Sequence, residues 1–224
     1  MQMFEDLVHS IGTINKLSAL MLATAVILVM CSRLKSLVYV YAFQSLALAA
    51  IALCASYSLH AHHLVWMSYL TLFLKVLVIP WVLLRLIEGL TIKREVEPYV
   101  GRAVSSLTAS GLIILAYYVG KESFRLEMGY LISHCLSASL AILLIGFFIM
   151  ITRKKAITQI VGLLVMENGL FLGAIVLTSG MPMVIELGIS FDILMGILIM
   201  GVFVFRIQET FASIDTSKLN SLRG

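Results

Sequence analysis

Apolar runs of about 20 residues follow one another along the chain, each ended by a short polar or basic turn. They fall at roughly 11–31, 36–59, 63–88, 102–120, 127–151, 156–179 and 182–206. The separators are SRLK at 32–35, HAHH at 60–63, TIKREVEPYVGR at 91–102, KESFR at 121–125, TRKK at 152–155 and SGMP at 179–182. None of the runs alternates polar and apolar residues with the period of two that a membrane barrel strand needs. The pattern predicts an all-α, polytopic transmembrane bundle of about seven spans.

The turns differ in charge. Arg33, Lys35, Lys93, Arg94, Arg102, Arg153, Lys154, Lys155, Arg206, Lys218 and Arg223 fall on one side of the expected membrane. Lys16, Lys121 and Arg125 fall on the other. Basic residues are retained on the cytoplasmic side, so the N-terminus is expected outside and the C-terminus in the cytoplasm.

Composition agrees with a chain almost wholly inside the bilayer. Of 224 residues, 61% are hydrophobic and 12% charged, which leaves too little polar surface for a soluble domain. The net charge of +4 sits in the loops between spans and does not indicate nucleic acid. Cys31, Cys54 and Cys135 lie in or at the ends of apolar runs, without ligand spacing, so no disulfide framework, zinc site or iron–sulfur site is expected. The opening MQMFEDLVHS is acidic where a signal peptide is basic, so no cleavable signal is expected.

Against this background the polar residues inside spans stand out, because ionisable groups at membrane depth are expensive and usually functional. Glu167, followed by Asn168, is about eleven residues into the sixth span, and Asp192 about ten into the seventh, both near the midplane at 1.5 Å per residue. Lys75 lies at matching depth in the third span, five residues before Pro80, which should kink or loosen that helix. Gln44 falls in the cytoplasmic half of the second span, His134 in the outer half of the fifth, and Glu186 nearer the outer face. Arg85 is close enough to a span end to snorkel, and Trp66, Trp81, Tyr99, Tyr117, Tyr118 and Tyr130 sit where aromatics anchor at the interface. Spans one and four carry no internal charge and read as packing helices, with Ser110 and Gly111 available for close contact.

A carboxyl in such a place can alternate between neutral and charged forms, which suits a proton relay through Glu167, Asp192 and Lys75, extended by Gln44, His134 and Glu186. The bland alternative is a buried pair that only fixes helix register, with Lys75 as the neutralising cation. His134 and Gln44 could equally be hydrogen-bonded packing residues. The His60, His62 and His63 group suits an interfacial loop better than a metal site. A retinal lysine is disfavoured because nothing around Lys75 resembles an aromatic chromophore pocket. No catalytic nucleophile, phosphate loop or cofactor fingerprint is present, so no catalytic centre is expected in this chain.

These residues carry a resemblance. Over 128–224 the order is His134, the basic turn Arg153-Lys154-Lys155, the stretch Gly162-Leu163-Leu164-Val165-Met166-Glu167-Asn168, then Asp192 four before Gly196, and the tail SIDTSKLNSLRG. This resembles the three-helix K-type subunit of respiratory complex I and the C-type subunit of multisubunit sodium/proton antiporters. Residues 1–126 then form an N-terminal four-span region and 127–224 the K-subunit-like region.

The chain departs from that pattern in one place. The first carboxylate of the K-type pattern falls on Leu164 here and is displaced to Glu167, a step of about 300° and 4.5 Å that keeps nearly the same helix face.

A second set of elements runs along nearly the whole chain: Tyr41, Gln44, Ser45 and Leu46; Lys75-Val76 with Pro80; Met166-Glu167-Asn168-Gly169; Glu186-Leu187-Gly188-Ile189 with Asp192; and Asp215, Leu219, Leu222 and Gly224. In these the chain is similar to hydrogenase-4 component E, a membrane subunit of formate hydrogenlyase-type and other group 4 nickel–iron hydrogenase complexes.

The resemblance implies a multi-pass protein of a prokaryotic cytoplasmic membrane, beside antiporter-like and quinone-subunit-like membrane partners. A peripheral hydrogenase arm would hold the nickel–iron centre and iron–sulfur clusters, and this chain would bind no cofactor. Its carboxylates would help couple electron transfer to proton or sodium movement. The alternatives are a scaffold that only joins larger membrane subunits and a free-standing transporter. The latter would need a cavity and internal repeats that are not visible in the sequence.

Overall fold

A computed structural model describes residues 2–59, 62–89, 100–124, 130–178, 196 and 199. Apart from 196 and 199, the expected seventh span, with Glu186 and Asp192, lies outside them. Among the described residues the chain is all-helical and holds six helices long and apolar enough to cross a membrane. They are built from α1 (Gln2–Met30), α2 (Leu34–Leu59), α3 (His62–Thr71) with its continuation, α5 (Arg102–Phe124), α6 (Tyr130–Thr152) and α7 (Ala156–Thr178).

The third span is the irregular one. After α3 the backbone widens into a π-helical turn, Leu72–Val78, and resumes as α4 (Ile79–Gly89). In the wide turn the N–H of Ile79 donates to the carbonyl of Leu74, five residues back. Two sequence features place it there. Pro80 has no N–H to give to the preceding turn, and its ring crowds the carbonyl four residues earlier. The inward positions Thr71, Lys75, Ile79 and Leu83 are all buried and follow one another in steps of four. Three such steps would carry a plain α-helix about 120° off its buried face. A wider turn holds more residues per revolution and takes up the drift. The loosening expected at Pro80 is thus a register change just ahead of the proline.

α2 is the central helix. It packs against α1, α7 and every part of the third span. Its buried side is Leu34, Leu37, Val38, Tyr41, Gln44, Ser45, Leu48 and Ile51. Its N-terminal end is also tied to α4 by the surface pair Lys35–Glu88 at 2.9 Å. Both side chains are well exposed, so Lys35→Ala is expected to change unfolding stability by less than about 1 kcal/mol, and less again in high salt.

α6 and α7 make the closest helix pair. Van der Waals packing, not water exclusion, drives such association in lipid, so small residues at the contact matter most. A Cβ placed on Gly162 would lie 2.7 Å from the Met150 amide nitrogen, and one on Gly169 2.7 Å from that of Leu143. Gly146, from the other side, faces the backbone of Met166. Ser139 donates to the Gly169 carbonyl at 2.8 Å within the same seam. Gly111, expected as a contact residue of the fourth span, meets nothing within 4 Å, and Ser110 is exposed beside it. That helix, α5, presents Leu107, Ile114 and Tyr118 outward.

Arg153, in the link between α6 and α7, is almost wholly buried and donates to the Val29 carbonyl in the last turn of α1. The last carbonyls of a helix have no partner within it, so this side chain caps α1 from across the bundle. At the opposite end α1 and α6 are joined by the Cys135 thiol, which donates to Asn15 Oδ1 at 3.4 Å.

Candidate functional site

α7 carries two faces that explain the site. Gly162, Gly169 and Gly173 turn toward α6, while Leu164, Glu167, Asn168 and Phe171 are buried on its other flank. Leu164 and Glu167 are both inward, so the one-turn displacement of the carboxylate keeps it inside the bundle.

Lys75 enters from the π turn. Its Nζ lies 3.1 Å from Glu167 Oε1, with side-chain exposures of 0% and 2%, and 4.4 Å from the centre of the Phe171 ring. The same Nζ donates to Asn168 Oδ1 at 3.4 Å. Asn168 in turn donates through Nδ2 to Gln44 Oε1 at 3.3 Å and to Ser45 Oγ at 3.1 Å. Gln44 Nε2 donates to the Met21 carbonyl at 3.1 Å, which the Thr24 hydroxyl also approaches at 2.7 Å. A line of polar groups therefore runs from α7 and the third span through α2 to α1, in a bundle whose apolar core includes Tyr41, Leu48, Leu83 and Leu172.

The chemistry of this line is balanced. A lone charge in so dry a place would be heavily penalised, whereas an ammonium and a carboxylate in contact present no net charge to the surroundings. The two amides complete the arrangement by giving and accepting in one direction, Lys75 to Asn168 to Gln44 to the Met21 carbonyl. Such a line can hold a proton's worth of charge at one end and pass the polarisation along its length.

Of the residues expected from sequence, Lys75, Glu167 and Gln44 come together here. His134 lies elsewhere: its ring meets Tyr117 edge-on at 5.7 Å between α6 and α5. Tyr117, expected as an interfacial anchor, thus makes an internal contact. Asp192 and Glu186 are outside the described residues. The member that sequence reasoning undervalued is Asn168, which touches Lys75, Gln44 and Ser45 at once. Its signal was available, since an amide next to a mid-span carboxylate must find partners of its own in lipid. Among the described residues no group of three or more His, Cys, Asp or Glu could hold a metal ion.

No protein-family model matches this chain, and no solved structure matches it. It is similar to the uncharacterised protein Rv0085 of Mycobacterium tuberculosis, with 34% identity over 200 residues, which cover 89% of this chain and 90% of that protein. At that identity and coverage the chain belongs to the same family as Rv0085.

Proposed function

We propose that this chain is a non-redox integral membrane subunit of a group 4 hydrogenase-like, complex I-related assembly, in which it helps couple electron transfer to ion movement. The observation that carries the reading is the Lys75–Glu167 pair, closed to solvent inside two membrane-length helices and continued by Asn168 and Gln44. A pair of this kind is costly to bury and has an evident use where charge must change hands within the bilayer.

In this mechanism Glu167 is the titrating group and Lys75 the counter-charge whose distance from it sets which form is favoured. Asn168 and Gln44 extend the line toward α1, and Asp192 and His134 serve as further relay groups in the same membrane. The partners are larger antiporter-like and quinone-subunit-like proteins and a hydrogenase arm, as the resemblance to hydrogenase-4 component E implies. The bilayer is the prokaryotic cytoplasmic membrane, with the basic turns facing the cytoplasm.

Glu167→Gln keeps the shape of the side chain and removes its charge. The complex carrying it is expected to assemble and to retain hydrogenase electron transfer to an artificial acceptor. Ion movement across sealed vesicles, followed by a pH-sensitive dye, should fall by about tenfold or more. Unchanged ion movement would sink the relay. One observation favours a second reading, a scaffold: the same pair fastens the third span to α7. A scaffold predicts loss of partner subunits from the purified complex when the pair is altered, with ion movement unchanged per assembled complex.

A further inference from the structure

The end of the bundle where α1 closes and α2, α5 and α7 begin gathers positive charge. Arg33 stands in the α1–α2 link, Arg102 opens α5, and Arg153, Lys154 and Lys155 form the α6–α7 link. None of α2, α5 or α7 has an acidic residue in its first turn. Among the described residues the acid at this end is Glu88, and Lys35 already holds it at 2.9 Å.

The charges are close enough to feel one another. Burial pulls the Arg153 guanidinium below its ordinary proton affinity, Cys31 opposes this, and the neighbouring Arg102 charge adds a smaller effect in the direction of burial. Arg33 and Arg153 occupy the links that follow α1 and α6, each at a backbone bridge, and Arg102 opens α5, which packs on both of those helices. The side chains just inside this end are apolar and open: Met30 on α1, Val104 and Leu107 on α5, and Ile151 on α6.

We propose that Arg33 and Arg102, exposed at the end of the bundle that the buried Arg153 also charges, form a binding site for the phosphate of an anionic phospholipid, whose acyl chains lie along Met30, Val104, Leu107 and Ile151. The phosphate supplies the negative charge that the described residues here do not. The position, at the common end of spans Gly12–Met30, Arg102–Gly120 and Ser133–Thr152, is the depth of a headgroup. The open apolar wall is what distinguishes a lipid from a soluble phosphate as occupant.

The test uses the full chain purified in mild detergent and mixed with dioleoylphosphatidylglycerol or dioleoylphosphatidylcholine. Native mass spectrometry reads retained lipid. Wild type is expected to prefer the glycerol lipid, and each of Arg33→Gln and Arg102→Gln to cut that preference about fivefold. Lys16→Gln, at the opposite end, should leave it unchanged. Both variants alter exposed side chains, and measuring them singly keeps the test independent of any double variant that fails to fold. Equal retention of the two lipids overturns the proposal, as does a preference that survives both arginine changes. Suppression of lipid binding by millimolar inorganic phosphate alone would identify a free-anion site and overturn it as well.

Discussion

Replacing Lys75 alone by methionine is expected to destabilise the protein more than replacing Lys75 and Glu167 together. The single change leaves a carboxylate in a dry cavity without its counter-charge, at a cost of about 3–5 kcal/mol. Lys75→Met with Glu167→Gln removes both charges and keeps the volumes close, so at least about 2 kcal/mol of that loss should return. Recovery is not complete, because Asn168 Oδ1 loses its donor and the Phe171 ring its cation. Unfolding of the four proteins of this cycle in mild detergent, titrated with a denaturing detergent, measures the coupling directly. Strict additivity would mean that the contact at 3.1 Å contributes nothing of its own. The double variant has a second use: stable but unable to move ions, it separates the relay from the scaffold.

The other large effect belongs to the α6–α7 seam. Gly146→Leu, Gly162→Leu and Gly169→Leu would each drive a side chain into the backbone of the facing helix, where no rotamer change can relieve the clash. The expected cost is about 3 kcal/mol or more, with loss of folded protein on purification. Gly111→Ala is the matched control: it adds a methyl where nothing lies within 4 Å, and should leave stability unchanged or raise it by up to about 1 kcal/mol. If the seam glycines tolerate leucine, the helices are not held by backbone contact and the packing described for α6 and α7 is wrong.

Much of this architecture could be read from hydrophobic runs, because a spanning helix must satisfy all its backbone groups internally and therefore announces itself by length. The expected spans at 36–59, 102–120 and 156–179 match Leu34–Leu59, Arg102–Phe124 and Ala156–Thr178 to within a few residues at their ends. Depth matching also placed Lys75 and Glu167 at one level, and they meet. What depth does not carry is rotation about each helix axis. That is why His134, at a plausible level, meets Tyr117 instead, and why Gly111, small and well placed in sequence, faces outward. Arg153 was legible as a topology signal and not as the cap of α1, because its partner, the Val29 carbonyl, is a backbone atom that any residue would supply.

The π turn at Leu72–Val78 can also be counted as length. A span of fixed height that includes a wide turn contains one residue more than the same span drawn as a plain α-helix. Deleting one residue there would give a straighter, more regular helix that still crosses the bilayer. It would also shorten the step from Lys75 to Ile79 from four residues to three, so that Thr71, Lys75, Ile79 and Leu83 would fall within about 60° of one another on a plain α-helix. The wide turn is thus the device by which this helix carries one residue more than it needs and still keeps a single inward side from Ser68 to Leu86, with its lysine in the middle.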